Sequence, residues 1–361
     1  MSKQTKPSIV IMAGGTGGHV FPALAVAHYL QLSGFDVQWL GTRRGIEARL
    51  VPAAQIPIHY IAASGLRGKN LFATLLGGLR LAVSLLQSLR LMMILRPVCV
   101  LGMGGFVSAP GGLAAWLLRR PLVIHEQNAV AGSSNRLLAR FACRVLAAYP
   151  ITVGPSRAQY VGNPVRDEIS ASPAPQQRYG RTTGLKLLVV GGSLGAKAIN
   201  DIIPAALALI DTDQRPQVWH QTGSVHIDSV LQAYQGLAME VKCEAFIDDM
   251  PAAYQWADLI ICRAGALTVA EITAVGLASI LVPLPYAIDD HQRENARWLV
   301  DNDAGLLMLQ DDMNATSVAR LIRELGEQPQ KLLRMATNAR QLLQPNAAEK
   351  VASICQEVAH G

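Results

Sequence analysis

Three glycine clusters stand where apolar runs give way to helical stretches. They are Gly14-Gly15-Thr16-Gly17-Gly18-His19, Gly102-Met103-Gly104-Gly105-Phe106 and Gly191-Gly192-Ser193-Leu194-Gly195. Glycine lets a backbone turn tightly and come close to a ligand. The amides of a helix that follows then favour an anion. A single loop of this kind is explained by a tight strand-to-helix turn, but three, spread over both halves of the chain, point to phosphate. None ends in the Gly-Lys-Ser/Thr of a P-loop, and none reads G-x-G-x-x-G. A dinucleotide fold also wants an acid for ribose at the end of its second strand. Here that strand runs into Gly41-Thr42-Arg43-Arg44, which leaves only a weak opening for NADP through the two arginines.

Two later segments carry polar chemistry. In Arg263-Ala264-Gly265-Ala266-Leu267-Thr268-Val269-Ala270-Glu271, Thr268 and Glu271 have the spacing of a helix capping box. The alternative is that the loop amides meet a phosphate while Glu271 accepts from both hydroxyls of a ribose diol. The run Asp289-Asp290-His291-Gln292-Arg293-Glu294-Asn295 admits a metal, a helix opening that favours acids, or sugar-hydroxyl binding by Gln292 and Asn295. Sugar binding is the preferred reading, and no metal is expected.

The elements that must position these residues follow a βα rhythm. Strands are expected at 8–12, 35–40, 98–101 and 121–124, with a helix from Pro22 to Leu32. The rhythm restarts with strands at 185–190, 218–221, 258–262 and 279–283, and a helix from Lys197. Short continuous apolar strands alternating with helices predict parallel sheets covered on both faces. The stretch 149–184, rich in Pro, Gly, Ser and Arg, reads as the crossing between two domains. Ligands bind outside the carboxyl ends of such strands, so two facing domains would set their glycine loops across one cleft.

Composition narrows the classes. The 361 residues suffice for two domains, and half are apolar. The net charge is +6 and the pI about 9.2, but the basic residues are scattered and aromatics are only 5%. That argues against nucleic acid, which favours basic stripes with stacking aromatics. The five cysteines form no C-x-x-C pair and read as free thiols in a reducing compartment. Glycines cut the N-terminal apolar run short, so no signal peptide is expected. The longest apolar stretch, 71–95, contains Arg80 and Arg90. A charge at the centre of a spanning helix costs about 2.5–3.5 kcal/mol, so this stretch is expected to be packed or interfacial rather than transmembrane.

The ordered set of motifs resembles one family closely. Alongside the glycine clusters stand His-Glu-Gln-Asn at 125–128, Gly-Asn-Pro-Val-Arg at 162–166, the 263–271 segment and Asp-His-Gln at 290–292. Together, over essentially the whole chain, they resemble the MurG family of peptidoglycan N-acetylglucosaminyltransferases. The resemblance implies the α/β GT-B fold, two Rossmann-like domains with parallel sheets facing across a cleft. It implies an N-terminal acceptor- and membrane-binding domain over 1–163, joined by a C-terminal helix at 343–361. A UDP-GlcNAc-binding domain would occupy 164–342. The implied reaction moves GlcNAc from UDP-GlcNAc to the MurNAc 4-hydroxyl of undecaprenyl-diphosphate-MurNAc-pentapeptide, lipid I, giving lipid II. No cofactor is implied. The implied setting is peripheral, at the cytoplasmic face of the bacterial inner membrane, with cell-wall synthesis complexes as partners.

Residue by residue, the resemblance implies that Thr16, Gly17 and Gly18 face sugar and diphosphate and that Asn128 meets the donor sugar. It assigns Arg166 and Ser193 to the phosphate side and the backbone of Ile247 to uracil. Ala266, Leu267, Thr268, Val269, Ala270 and Glu271 match the diphosphate and ribose segment, and Gln292 a sugar hydroxyl. Two positions depart from the family: Leu194 stands where Gln is usual, and Phe106 where Tyr is common.

Going from an α-linked donor to a β-linked product inverts the anomeric carbon in one in-line displacement. Such a step needs a base at the acceptor hydroxyl and charge stabilisation at the departing diphosphate. His19 is the candidate base, because an ordinary imidazole, of pKa about 6.5, is mostly neutral at neutral pH. The alternative is that His19 only braces its loop. Glu126 is the second candidate base, or an orienter of acceptor. No Asp-x-Asp pattern is placed to hold a metal at the diphosphate, so turnover without metal is expected. The leucines and methionines of 66–95, with Arg67, Lys69, Arg80 and Arg90, suit an anionic leaflet or, equally, a core. The rival activities are a UDP-GlcNAc 2-epimerase, another UDP-sugar:lipid transferase, or a non-catalytic binding protein.

Overall fold

The computed structural model describes residues 6–63, 71–179, 184–192, 195–237, 239–285 and 290–360, with backbone only for 71–76. Two compact units emerge. The first is Met1–Arg166 with Gln344–Gly361, and the second is Asp167–Leu343. The first boundary therefore falls after Arg166 rather than after 163, which leaves Arg166 in the first unit.

The first unit is built on a seven-stranded sheet. In chain order its strands are β1 (Ser8–Met12), β2 (Asp36–Gly41), β3 (Ile58–Tyr60), β4 (Cys99–Gly102), β5 (Leu122–Glu126) and β6 (Arg144–Ala147). A small antiparallel hairpin follows, β7 (Thr152–Val153) with β8 (Ser156–Arg157), and then β9 (Gln159–Tyr160). The sheet order is β3-β2-β1-β4-β5-β6-β9, with parallel pairing throughout. Ile9, Val10, Ile11 and Met12 are all buried, as a central parallel strand requires. The helix Gly17–Leu32 lays Val20, Ala23, Val26, Ala27 and Leu30 on one face of the sheet. That spacing is one helical stripe. The last helix, Ala347–His360, adds Val351, Ala352 and Cys355 to the same core.

The helix Leu71–Leu95 was expected to be packed or interfacial. Its described part turns Ser84, Ser88 and Met92 inward, with Leu85, Leu89, Leu91 and Leu95 half-buried. Leu79, Val83, Leu86, Met93 and Ile94 are exposed, Leu86 at 66% and Ile94 at 67%. Residues Gly77–Leu95 are long and apolar enough to cross a membrane by length and composition, and only 17% of that window is buried. Core packing therefore accounts for part of this helix and leaves one apolar face uncovered.

The second unit carries β10 (Lys186–Val190), β11 (Gln217–Gln221), β12 (Val241–Glu244), β13 (Leu259–Cys262), β14 (Ala278–Leu281) and β15 (Leu306–Leu307). Their order is β12-β11-β10-β13-β14-β15, again parallel. The helix Ala315–Gly326 begins with a capping box in which Asn314 and Ser317 satisfy each other's backbone amides. Each sheet reverses its strand order once, between β1 and β4 in the first unit and between β10 and β13 in the second. Open α/β sheets bind ligands at those points, beyond the carboxyl ends of the strands.

Candidate active site

In the first unit, both glycine loops emerge at the β1/β4 switch point. Gly15, Gly104 and Gly105 have φ of 92°, 95° and 84°, a region that side chains disfavour. A Cβ on Gly105 would overlap the Gly14 carbonyl oxygen, and one on Gly104 would lie 2.7 Å from His19 Nδ1. Glycine at both positions is thus what lets the two loops touch and gives the His19 ring its room. The first helix begins at Gly17, not at Pro22 as expected, because Gly17 and Gly18 form its first turn. Thr16 is the exposed N-cap residue and makes no side-chain cap. His19 is the third helical residue, half-buried, with its own N–H directed at the Thr16 carbonyl.

A buried carboxylate holds this loop from below. Glu47 Oε2 accepts from the Gly15 N–H at 2.9 Å, and Oε1 accepts from the Thr42 N–H at 2.9 Å and its hydroxyl at 2.7 Å. Glu47 is fully buried, and its side chain fills the space beside Gly14, Gly41 and Gly45. Sequence reasoning missed it. The available signal was a single acid, in register behind the Gly41-Thr42 turn, while the intervening arginines drew attention. Arg43 itself lies over the Tyr60 ring at 4.8 Å.

The 125–128 quartet divides its tasks. His19 Nδ1 meets Gln127 Oε1 at 3.1 Å. Gln127 Nε2 lies 3.2 Å from His125 Nδ1 and 3.2 Å from the His125 carbonyl oxygen. His125 Nε2 reaches the Gly162 carbonyl at 2.9 Å. Burial pushes the His125 pKa down to about 4, outweighing that hydrogen bond and the Glu126 charge. The Glu126 carboxylate is taken up by its own loop. Its Oε1 accepts from the Asn128 N–H at 3.0 Å and Asn128 Nδ2 at 3.2 Å. Its Oε2 accepts from the Gly132 N–H at 3.0 Å and Asn135 Nδ2 at 2.9 Å. Both oxygens are committed and the group is buried, so Glu126 shapes the loop that presents Asn128. Arg166 is half-buried with its guanidinium 5.7 Å from the Phe21 ring centroid, beside the first helix. Phe106 is exposed at the tip of its loop.

In the second unit, the β10/β13 switch point gathers the other predicted residues. Gly192 and Gly195 have φ of 86° and 76°, and a Cβ on Gly195 would overlap the Thr222 carbonyl oxygen. Ser193 and Leu194, at the centre of this loop, lie outside the described residues. The helix Ala266–Val275 starts after Gly265, which supplies no side-chain cap. Its first-turn amides, among them those of Leu267 and Thr268, are arranged as in an anion site. The expected capping box is overturned: Thr268 is already in the first turn, and Glu271 is farther along the helix. Glu271 is buried and accepts from the Tyr254 hydroxyl at 2.9 Å through Oε2. Val269 is buried, while Leu267, Thr268 and Ala270 are partly accessible.

The neighbouring contacts brace this site. Ile247 buries its side chain, which leaves its backbone for any ligand, and Phe246 beside it is exposed. Gln292 Oε1 accepts from the Leu284 N–H at 2.9 Å, so its amide nitrogen is the end left to donate. Asn295 was expected to bind sugar. It is fully buried and donates to the Ala264 carbonyl at 3.2 Å, which ties the loop ahead of Ala266 to the next helix. Arg263 clamps the Val282 and Pro283 carbonyls and Gln310 Oε1. Asp290 stands as N-cap at φ 51° and pairs with Arg293 at 3.8 Å, and Asp289 lies outside the described residues.

Two parallel-sheet domains, each with a glycine loop at its switch point, are the architecture of the GT-B class, and the family matches make this chain a glycosyltransferase. Residues 9–147 match the glycosyltransferase family 28 N-terminal domain, and residues 186–358 match its C-terminal domain. The chain is 52% identical to a protein of Nitrosococcus oceani over 98% of its own length and 99% of the relative's. That relative is named UDP-N-acetylglucosamine--N-acetylmuramyl-(pentapeptide) pyrophosphoryl-undecaprenol N-acetylglucosamine transferase. A Stutzerimonas stutzeri protein of the same name is also 52% identical, over the same shares. The crystal structure of Acinetobacter baumannii MurG superposes with a TM-score of 0.85 at 40% identity, covering 97% of this chain and 99% of that one. The chain belongs to glycosyltransferase family 28 and, within it, to the MurG transferases.

Proposed function

We propose that the protein transfers GlcNAc from UDP-GlcNAc to the MurNAc 4-hydroxyl of lipid I and releases UDP and lipid II. The observation that carries this is the 52% identity, over nearly the full length of both chains, to transferases named for that donor and acceptor. A UDP-GlcNAc 2-epimerase of Neisseria meningitidis shares the fold with a TM-score of 0.66 but only 13% identity, so that likeness extends to architecture alone.

In this reading His19 takes the proton of the acceptor hydroxyl as its oxygen attacks the anomeric carbon. The bond to the UDP oxygen breaks on the opposite face, and the configuration inverts. A positioned general base contributes about 10²–10⁴-fold. The negative charge on departing UDP is met by the amides of Leu267 and Thr268, by the helix behind them, and by Ser193 and Arg166. Ile247 contacts uracil through its backbone, Glu271 the ribose hydroxyls, and Gln292 and Asn128 the sugar. Thr16, Gly17 and Gly18 approach the sugar and diphosphate without side-chain bulk.

The acceptor's lipid keeps it in a bilayer, so the enzyme works as a peripheral protein at the cytoplasmic face of the inner membrane. The exposed Leu79, Val83, Leu86, Met93 and Ile94 support this, flanked as they are by exposed Arg80, Arg90 and Arg96. Apolar side chains with basic neighbours suit an anionic leaflet. By its product the protein serves peptidoglycan synthesis, and through it cell shape and division alongside other cell-wall enzymes. The test is product structure: NMR of the disaccharide from UDP-GlcNAc and a short-chain lipid I analogue, where a β-1,4 linkage is expected. An α linkage would overturn the displacement, and a β linkage to another hydroxyl would overturn the assigned acceptor position.

A further inference from the structure

The contacts around Gln127 fix more than its own orientation. The Gly162 carbonyl can only accept, so His125 Nε2, 2.9 Å away, carries a proton. His125 is wholly buried and its pKa is depressed to about 4, so at neutral pH it holds that one proton and its Nδ1 is a bare acceptor. One end of the Gln127 amide then faces three acceptors: His125 Nδ1 at 3.2 Å, the His125 carbonyl at 3.2 Å and Met103 Sδ at 4.0 Å. That end must be the NH2 group, since flipping the amide would set oxygen against a carbonyl and a lone pair. The carbonyl end, Oε1, consequently faces His19 Nδ1 at 3.1 Å. An amide oxygen accepts, so Nδ1 is the nitrogen that carries the hydrogen.

We infer that Gln127, itself held by His125 and the Gly162 carbonyl, locks neutral His19 as the Nδ1–H tautomer and so keeps the Nε2 lone pair for the acceptor proton. Nε2 has no hydrogen-bond partner among the described residues. Gln127 and His125 are fully buried, so they act through His19 as positioning residues. Gly104 supports the lock, because a Cβ there would reach the ring within 2.7 Å. The logic is that of any general base: the ring nitrogen that accepts is chosen by the bond the other nitrogen makes. Free histidine favours the opposite tautomer, with hydrogen on Nε2, so without the relay the accepting nitrogen would turn inward. The catalytic meaning of the lock rests on His19 being the base, as proposed above, whereas the tautomer does not.

The experiment is two-bond ¹H–¹⁵N correlation spectroscopy of the full chain labelled with ¹⁵N-histidine, with a His19→Gln sample to identify the His19 signals. At mildly alkaline pH the expected pattern is protonated Nδ1 and bare Nε2. A protonated Nε2, or an averaged mixture, overturns the lock. Gln127→Met should move His19 toward Nε2–H and lower kcat about tenfold with KM for UDP-GlcNAc unchanged. Gln127→Glu, with its carboxyl protonated so that the hydroxyl donates toward His125, keeps a carbonyl acceptor toward His19 Nδ1, so it should retain the tautomer and a higher kcat than Gln127→Met. Full kcat with unchanged tautomer in Gln127→Met overturns the proposal. His19→Ala separates the two claims: wild-type turnover there removes the base and with it the purpose of the lock, while the spectrum still decides the tautomer.

Discussion

Glu47→Gln tests how the first glycine loop is held. Three donors converge on the Glu47 carboxylate, two from Thr42 on Oε1 and the Gly15 N–H on Oε2. Glutamine preserves volume and one oxygen, which Thr42 can keep. Its NH2 group must then face the Gly15 N–H, donor against donor. Leaving a buried donor unsatisfied costs about 1–3 kcal/mol. A central value of about 2 kcal/mol lowers the midpoint of a domain this size by about 4–8 °C. If the same energy is lost from the loop in the transition state, kcat/KM falls about 30-fold. Thr42→Val is the control, because it removes one donor from Oε1 and leaves the Gly15 bond intact. That variant also removes the acceptor of the Gly45 N–H, so it should lose about 1–3 kcal/mol of stability and little kcat/KM. Calorimetry and steady-state UDP release on both variants give the answer. Unchanged Tm and kcat/KM in Glu47→Gln, or an equal kcat/KM loss in Thr42→Val, would refute the reasoning.

Four further outcomes are expected. His19→Ala should lower kcat by about 10²–10⁴ with UDP-GlcNAc binding retained, measured by turnover and calorimetric titration. Glu126→Gln should destabilise by about 1–3 kcal/mol while keeping the pH dependence of kcat/KM, since the group orients Asn128 rather than moving a proton; loss of the acid-side limb, where a general base is silenced by protonation, would restore it as a base. Burial depresses the pKa of His125 to about 4 and of His220 to about 3. The unfolded chain, with ordinary values near 6.5, binds more protons below that pH, so stability is full above about pH 6.5 and falls as pH drops toward 4. Urea titrations across that window should show this slope, and His220→Gln should flatten it. Leu86→Asp combined with Ile94→Asp should weaken flotation with anionic liposomes by tenfold or more, from burial of about 1.5–3 kcal/mol per side chain; unchanged flotation would remove this helix from the membrane contact.

Much of the fold was legible because central parallel strands write themselves as unbroken apolar runs. Ile9 to Met12 and Leu187 to Val190 are buried on both faces and need no pattern beyond hydrophobicity. The edge strands Ile58–Tyr60, Val241–Glu244 and Leu306–Leu307 are short and half-exposed, and nothing in their composition separates them from loop. The start of the first helix was misplaced because Pro22 suits a first helical position, whereas two glycines before it form the first turn. At the sites, the glycine loops and His19 could be read from residue type. The commitments of Glu126 and Asn295 could not, because a carboxylate saturated by four donors and one open to substrate have the same sequence. Glu47 and Gln127 act through contacts 32 and 108 residues away in sequence, a reach that local spacing does not encode.

The most direct test incubates the protein with UDP-GlcNAc and a short-chain lipid I analogue, omitting each in turn, and follows UDP release together with disaccharide-lipid formation. The expected result is equimolar UDP and product only when both substrates are present. UDP-GlcNAc consumed equally fast without acceptor would contradict the transferase and return the chain to epimerase chemistry.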